Sequence, residues 1–338
     1  MKILVVKIAA IGDVVMTLPL LPAIRAQHPD CHLTWICGRQ VESLLTATKE
    51  IDRLIAVDEF SLYKGNFPRR IAALLRIWKE IAGRRYDLCL ICHPDPRYQW
   101  IPFPARCKEK RSLTRTRGRP HPIPGRYHAE EYIRLFSQTE RGPDALLQFP
   151  KLALPPPPPL TLEGPPLIAI APGGAKNILA DDALRRWPIE SYAALAKQLK
   201  DLPVRLAITG SSSDEWVKPY FSDIPHIDLI GELSLLDLVS FLKCCRLFIT
   251  HDSGPLHLAK LADCPTIALF GPTMPSEKVG LNEKFKVFWG GETLPCRPCY
   301  DGKTYAQCTN NLCLKSISPQ QVFLKAAEIL HFDSSFSC

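Results

Sequence analysis

Four short segments carry the residue types and spacings that chemistry requires. At 7–13, Lys-Ile-Ala-Ala-Ile-Gly-Asp sets the carboxylate of Asp13 directly after Gly12, at or just before a helix. Asp13 could cap that helix through backbone N–H groups. Facing a cleft, it could instead take a proton from an acceptor hydroxyl. At 171–176, Ala-Pro-Gly-Gly-Ala-Lys forms a glycine-rich turn, and Arg185-Arg186-Trp187-Pro188 opens the next helix. Gly173 and Gly174 alone mean only a tight turn, but with Lys176, Arg185 and Arg186 they suit a phosphate, which backbone N–H groups and fixed cations both attract. At 209–215, Thr-Gly-Ser-Ser-Ser-Asp-Glu offers Ser211 to Ser213 as helix caps, or Asp214 or Glu215 as ribose ligands. It lacks the Gly-Lys-Ser/Thr ending of a Walker loop. The strongest segment is Thr-His-Asp-Ser-Gly-Pro-Leu-His at 250–257. Asp252 or Ser253 can cap, Gly254 lets a ligand approach the backbone, and Pro255 is tolerated in a first turn. The free N–H groups and helix dipole then make a diphosphate site. A bare cap would not need His251, Asp252, Ser253 and His257 together.

Loops of this kind act where strands end, so strands must precede them. Residues 2–9 form an apolar and β-branched run that reads as a strand covered on both faces, and further runs at 32–37 and 86–92 also read as buried strands, with helical patterns at Val14 to about Gln27, 39–48, 68–82 and 129–138. That alternation predicts a parallel sheet covered by helices on both faces. Five prolines at 155–159 cannot continue a helix or an interior strand and read as a linker. The alternation then restarts, with strands at 167–171, 204–209, 227–230, 246–250 and 265–270, and helices at 189–200, from about 214, 235–243 and 254–262. A last amphipathic helix is expected at about 319–331. The fold class is therefore α/β, as two Rossmann-like domains with parallel sheets facing across a cleft. The boundaries are 1–154 for an N-terminal acceptor domain, 155–166 for the linker, 167–317 for a C-terminal nucleotide domain, and 318–338 for a helix and tail.

With 338 residues, 46% apolar and 22% charged, the chain has the composition of a two-domain globular protein. Its net charge of +8 favours anionic partners. Much of that charge lies in 105–128, where Arg106, Lys108, Lys110, Arg111, Arg115, Arg117, Arg119 and Arg126 face only Glu109. The stretch reads either as a solvated loop or as one that binds an anionic partner, with Arg115, Arg117 and Arg119 as its contacts, and touches a membrane surface. Lys7, Gly12 and Asp13 interrupt the N-terminal apolar run, which fits a buried strand better than a signal peptide, and no stretch is long enough to span a bilayer. The thirteen cysteines are then expected as reduced thiols in a cytoplasmic protein.

The motifs at 5–25, 171–199, 208–210, 229–273 and 296–313 together resemble the lipopolysaccharide heptosyltransferases of glycosyltransferase family 9, nucleotide-sugar transferases with the GT-B fold. The resemblance implies inverting transfer of heptose from ADP-heptose to the inner core of lipopolysaccharide, onto Kdo or heptose, with Asp13 as general base. It implies Arg185 as the cation that steadies the leaving diphosphate; a lysine is common there, so Arg185 keeps the charge and changes its geometry. It assigns Asp252, Ser253, Gly254, Pro255, Leu256 and His257 to the donor's sugar and diphosphate. Glu215 and the segment Gly231 to Ser234, including Leu233, would flank the ribose and adenine. His251 stands where Asn or a small residue is more familiar. No cofactor or catalytic metal is expected, although Cys296, Cys299, Cys308 and Cys313 have a spacing that could hold a structural zinc. The expected partners are ADP-heptose, a lipid A–Kdo or heptosylated acceptor, and the cytoplasmic face of the inner membrane, with no nucleic acid. A related GT-B transferase using another nucleotide sugar is the nearest alternative, and a non-enzymatic basic lipid- or nucleic-acid-binding module a more distant one. A nicotinamide-dependent dehydrogenase fits poorly, since 8–13 lacks its G-x-G-x-x-G turn.

Overall fold

The computed structural model describes residues 1–113, 123–139, 147–159, 164–176, 181–280, 282–300 and 305–331. The chain divides into two compact units, one from Met1 to Ala153 with a short stretch beginning at Ser276, the other holding most of the remainder.

The first unit runs β1 (Lys2–Val6), α1 (Ile11–Thr17), α2 (Leu20–Gln27), β2 (His32–Gly38), α3 (Glu42–Thr46), β3 (Arg53–Val57), α4 (Glu59–Tyr63), α5 (Phe67–Ile81), β4 (Arg85–Ile91), β5 (Arg106–Ser112) and α6 (His128–Ser137). Its sheet has the order β3-β2-β1-β4-β5 and is parallel throughout. Ile3, Leu4, Val5 and Val6 of β1 are completely buried, as expected of a central strand with both faces covered. The single helix expected from Val14 to about Gln27 is two helices, because Pro19 has no amide hydrogen to continue the ladder and instead opens α2. The pattern at 39–48 divides into a 3₁₀ turn, Arg39–Val41, and α3.

The basic stretch 105–128 is not one loop. Its first part, Arg106–Ser112, is the edge strand β5, paired with β4 from Arg85↔Arg106 to Ile91↔Ser112. An edge strand can carry Arg106, Lys108 and Lys110 toward water, and those charges also guard its open edge against pairing with another chain. Residues 114–122, including Arg115, Arg117 and Arg119, lie outside the described residues.

The second unit contains β6 (Leu167–Ala171), α7 (Ile189–Leu199), β7 (Arg205–Gly210), β8 (Ile227–Ile230), α8 (Leu235–Lys243), β9 (Leu247–His251), α9 (Gly254–Leu261) and β10 (Thr266–Phe270). After α10 (Pro275–Lys278) come β11 (Phe285–Trp289), α11 (Leu312–Lys315) and α12 (Pro319–His331). Its parallel sheet has the order β11-β10-β9-β6-β7-β8. Trp187, Tyr192, Phe221 and Leu247 lie in its core, and the Trp187 indole donates to the Ile317 carbonyl at 3.0 Å. The helix expected from about 214 is a 3₁₀ segment, Ser212–Phe221, with Pro219 inside it, and an α-helical ladder cannot run through that residue. Strands β3, β5 and β11 were not expected from sequence. Each is an edge strand with a mixed burial pattern: β5 is mostly charged, β11 is interrupted by Lys286, and β3 offers only the short apolar run Leu54–Val57 between Arg53 and Asp58. No helix among the described residues is long and apolar enough to cross a membrane.

Candidate functional site

A doubly wound sheet opens a crevice where the strand order reverses, beyond the carboxyl ends of the two strands at that point. In the first unit these strands are β1 and β4, and in the second β6 and β9. Each unit gathers its chemical groups there.

In the first unit Lys7 follows β1 directly, and only 2% of its side chain is exposed. Its ammonium donates to the Tyr132 hydroxyl at 2.9 Å and the Cys92 carbonyl at 3.2 Å, and it lies 3.5 Å from the Asp13 carboxylate. The Asp13 side chain remains 41% exposed. Asp13 stands in the first turn of α1, but Ala10 holds the cap position and no side chain caps the helix, so the carboxylate is not spent on capping. Burial raises the Asp13 carboxyl. Lys7 foremost, then Lys278, His128 and His93, oppose this and hold it well below the usual carboxylate range. Burial likewise lowers Lys7, and Asp13 and Tyr132 more than restore it, leaving the ammonium firmly charged. His93, just past β4, accepts from the Ile8 amide through Nε2 at 3.1 Å and stacks on Tyr98 at 3.6 Å between centroids. Burial, helped by Lys7, keeps that ring neutral, and its proton then sits on Nδ1. A solvent-facing carboxylate that stays ionised can act as a base toward a hydroxyl.

In the second unit three loops meet. The Gly174 amide donates to Asp214 Oδ1 at 2.8 Å, while Asp214 Oδ2 accepts from the Ser211 amide at 2.8 Å and the Ser211 hydroxyl at 2.7 Å. A Cβ on Gly173 would stand 2.5 Å from the Asp214 carboxyl carbon, so only glycine permits this approach. Gly174 has φ +82°, and a Cβ there would meet Ser253 at 3.5 Å. Asp214 is thus committed to holding the loops after β6 and β7 together. Glu215 is exposed.

Asp252 ends the β9 loop and is 2% exposed. Thr273 donates to its Oδ2 at 2.7 Å, Arg185 Nη1 lies 3.5 Å from the same oxygen, and His257 Nε2 lies 4.0 Å from Oδ1. Arg185 also pairs with Asp182 at 2.7 Å, and its side chain is 18% exposed. Its Nε has no hydrogen-bond partner among the described residues. Ser253 occupies the cap position of α9 without a side-chain cap bond; its hydroxyl reaches back to the His251 carbonyl. Pro255 has no amide hydrogen and the Leu256 amide donates to the Ser253 carbonyl at 3.1 Å, so at the opening of α9 it is the Ser253 and Gly254 amides that can meet an anion. Leu256 is fully buried, so its side chain is closed to a ligand. His251 is fully buried, with Nδ1 3.0 Å from the Tyr192 hydroxyl, and burial foremost pushes its pKa down to about 3.

Beside this cluster lies a cavity of about 290 Å³ lined by Lys176, Asp181, Arg186, Ser213, Asp214 and Trp216. Arg186 lies over the Trp216 ring, 5.8 Å from its centroid, and donates to the Gly174 carbonyl. Gly231, with φ +83°, packs near Ser212; Leu233 is half-buried, and Ser234 shares a capping box with Asp237 at the start of α8. Sequence reasoning singled out Asp13 but missed Lys7, His93 and Tyr132 around it, and Asp182 and Thr273 beside Arg185. No described cysteine is in a disulfide, and among the described residues no three His, Cys, Asp or Glu side chains are grouped to hold a metal ion.

A family model described as glycosyltransferase family 9 (heptosyltransferase) matches residues 75–309. The lipooligosaccharide heptosyltransferase 2 of Haemophilus influenzae is 24% identical over 369 residues, covering 98% of this chain and 99% of that protein. The crystal structure of a family 9 glycosyltransferase from Veillonella parvula superposes with a TM-score of 0.75 at 23% identity, over 97% of each chain. The Escherichia coli heptosyltransferase WaaC with ADP-2-deoxy-2-fluoro heptose gives 0.71 at 16% identity, covering 97% of this chain and 99% of that one. These likenesses identify the architecture as the GT-B fold.

Proposed function

The chain belongs to glycosyltransferase family 9, the heptosyltransferases, and from that premise we propose that it transfers heptose from ADP-heptose to the inner core of lipopolysaccharide, onto Kdo or heptose, with inversion at the anomeric carbon. The observation that carries this reading is the pair of ion clusters at the two switch points, an ionised carboxylate presented by one and a guanidinium presented by the other. Asp13 takes the proton of the acceptor hydroxyl as that oxygen bonds to the anomeric carbon. The bond from that carbon to the diphosphate oxygen breaks, and ADP leaves with both electrons. Arg185, Lys176 and the N–H groups opening α9 meet the negative charge that develops on the leaving group. Asp252 and His257 hold the donor's sugar and diphosphate by way of Arg185 and the α9 turn. Glu215, Gly231, Leu233 and Ser234 line the nucleoside side, and Arg115, Arg117 and Arg119 receive the anionic acceptor.

The acceptor is a lipid-linked saccharide, so the reaction belongs at the cytoplasmic face of the inner membrane. No metal enters the transfer step. Chelation is expected to leave turnover unchanged, and metal analysis of the purified chain tests the structural zinc suggested by the spacing of Cys296, Cys299, Cys308 and Cys313. The deciding experiment measures nucleotide release from a panel of ADP-, UDP-, GDP- and CMP-sugars with a defined lipid A–Kdo acceptor. ADP-heptose should be turned over fastest and only with acceptor present. Preference for another nucleotide sugar would replace the donor assignment, and nucleotide release independent of acceptor would remove transfer itself.

A further inference from the structure

The transfer chemistry gives no task to the cysteine-rich segment 296–313, yet its described parts are tied to the leaving-group site at two points. The Cys299 and Tyr300 amides donate to the Pro272 carbonyl at 3.0 and 3.3 Å, one residue before the Thr273 that holds Asp252. Asn311 Nδ2 donates to the Arg186 carbonyl at 3.3 Å, one residue after Arg185. Both ends are rooted in the second unit, since Arg297 lies 4.0 Å over the Trp289 ring and donates to the Trp289 carbonyl at 2.8 Å, while Leu314 is buried in the core. Between the two ties Tyr300 and Tyr305 form an antiparallel bridge, and the Ala306 amide donates to the Cys299 carbonyl at 3.0 Å. The two tyrosine rings lie 4.6 Å apart between centroids, so the half-buried Tyr305 is held by backbone and ring alike.

Burial lowers the Arg185 guanidinium, and Asp252, Tyr305 and Asp182, in that order, more than restore it. The phenol therefore stands beside the guanidinium. Burial foremost raises the Tyr305 hydroxyl, Arg185 opposes this, and Asp182 and Asp252 reinforce it, so the hydroxyl keeps a proton to donate. Arg185 for its part has a buried Nε with no hydrogen-bond partner among the described residues. A buried N–H in that state needs an acceptor, and a diphosphate oxygen supplies one. We propose that Tyr305 is a further donor to the leaving diphosphate, its O–H directed at the oxygens that Arg185 meets, with the anchored stretches around Cys299 and Asn311 positioning it. As the bond from the anomeric carbon to the diphosphate oxygen breaks, the electron pair goes to that oxygen, and the phenol hydrogen-bonds to the growing charge without giving up its proton. The acceptor's proton still goes to Asp13. The inference rests on the reading of this site as one for a nucleoside diphosphate sugar.

The test uses the full chain and Tyr305→Phe, which keeps the ring against Tyr300 and deletes only the hydroxyl, after thermal unfolding establishes that the variant folds. Calorimetry compares ADP with AMP, because only ADP carries the second phosphate of the leaving group. Tyr305→Phe should lose about tenfold on ADP and stay within about twofold on AMP, the scale of a hydrogen bond to a charged group. Its kcat/KM for ADP-heptose should fall by about tenfold or more, and kcat with it, since the charge on the diphosphate is greatest in the transition state. Equal losses on ADP and AMP would make Tyr305 a brace for its loop and overturn the proposal, as would unchanged ADP binding and turnover. Asn311→Gly, where glycine tolerates the residue's φ of +47°, cuts the tie to the Arg186 carbonyl. It should lower the preference for ADP over AMP by about two- to threefold, and an unchanged preference overturns the positioning role given to this stretch. The same measurements with UDP and UMP separate the inference from the donor reading. A wild type that ignores ADP, with a UDP-over-UMP preference that Tyr305→Phe loses, defeats the ADP-heptose assignment and upholds Tyr305. A wild type that turns over ADP-heptose no faster than Tyr305→Phe upholds the function and defeats Tyr305.

Discussion

The two switch points hold the same device turned in opposite directions. In the first unit a cation with 2% of its side chain exposed, Lys7, supports a carboxylate that is 41% exposed. In the second a carboxylate with 2% exposed, Asp252, supports a guanidinium that is 18% exposed. The buried partner cannot be the reacting group, but it fixes the charge of the one that can. A cation held in place by Tyr132 and the Cys92 carbonyl keeps Asp13 anionic, and a carboxylate anchored by Thr273 keeps Arg185 oriented. Opposite polarity suits opposite tasks, namely accepting a proton and steadying an anion.

The presented carboxylate gives the largest expected effect. Asp13→Asn keeps the side chain's size and removes its basic oxygen, so kcat should fall by about two orders of magnitude or more. Donor binding, measured by calorimetry with ADP, should stay within about twofold, because the groups proposed to hold the donor belong to the other switch point. Near-normal single-turnover transfer by the purified variant would end the assignment of Asp13 as base.

Replacing the hidden partner separates support from chemistry. Lys7→Met leaves Asp13 in place but removes the leading influence that lowers its carboxyl, while the effect of burial, which raises it, remains. A base works only when deprotonated, so activity falls as pH falls through its pKa. In the wild type that acid limb lies below the ordinary carboxylate range. In Lys7→Met it should move up by about one unit or more, the scale on which a close opposite charge acts. A pH–rate profile of kcat/KM reads the shift, and a variant that loses rate uniformly at all pH values would make Lys7 merely structural. Stability follows the same signs. The contribution from Asp13 is present above the ordinary carboxylate range and disappears as pH falls through its lowered value. That from Lys7 is present below the ordinary lysine range and disappears as pH rises through its raised value. Breaking the pair should cost roughly 2 kcal/mol, less than for a wholly buried pair because Asp13 meets water.

Lys7 also marks the limit of what the sequence could tell. The central strands were legible because Ile3–Val6, 167–171 and Leu247–Ile249 are unbroken apolar runs, and parallel strands covered on both faces require such runs. Strand β5 was not, since Arg-Cys-Lys-Glu-Lys-Arg-Ser at a sheet edge has the composition of a loop. Gly173, Gly174 and Asp252 stand in loops, and Asp13 in the helical turn after one, whose composition is unusual in itself. A lysine within an apolar run is also a signal, because a buried ammonium needs partners. Its partners Cys92 and Tyr132 lie 85 and 125 residues away, and only the folded sheet brings them to it. Asp214 was ambiguous for a related reason. Capping and ribose binding both want a carboxylate after serines, and only the distance to the Gly174 amide reveals a third use, tying two loops together.

The smallest effect is expected where the second unit's support is trimmed without being removed. Thr273→Val preserves shape and deletes the hydroxyl that donates to Asp252 at 2.7 Å. A hydrogen bond to a charged group contributes about 1.5–3 kcal/mol. Part of that loss should be recovered here, because Arg185 lies 3.5 Å from the same oxygen and can close on it. A guanidinium drawn inward gives less of itself to a diphosphate. ADP should therefore bind about three- to tenfold more weakly, with melting slightly lowered and the pH profile of Asp13 unchanged. Calorimetry and thermal unfolding measure the first two, and the pH–rate profile the third. If Thr273→Val instead moved the acid limb, the two ion pairs would be coupled, and the division of labour between an anion-presenting and a cation-presenting switch point would have to be given up.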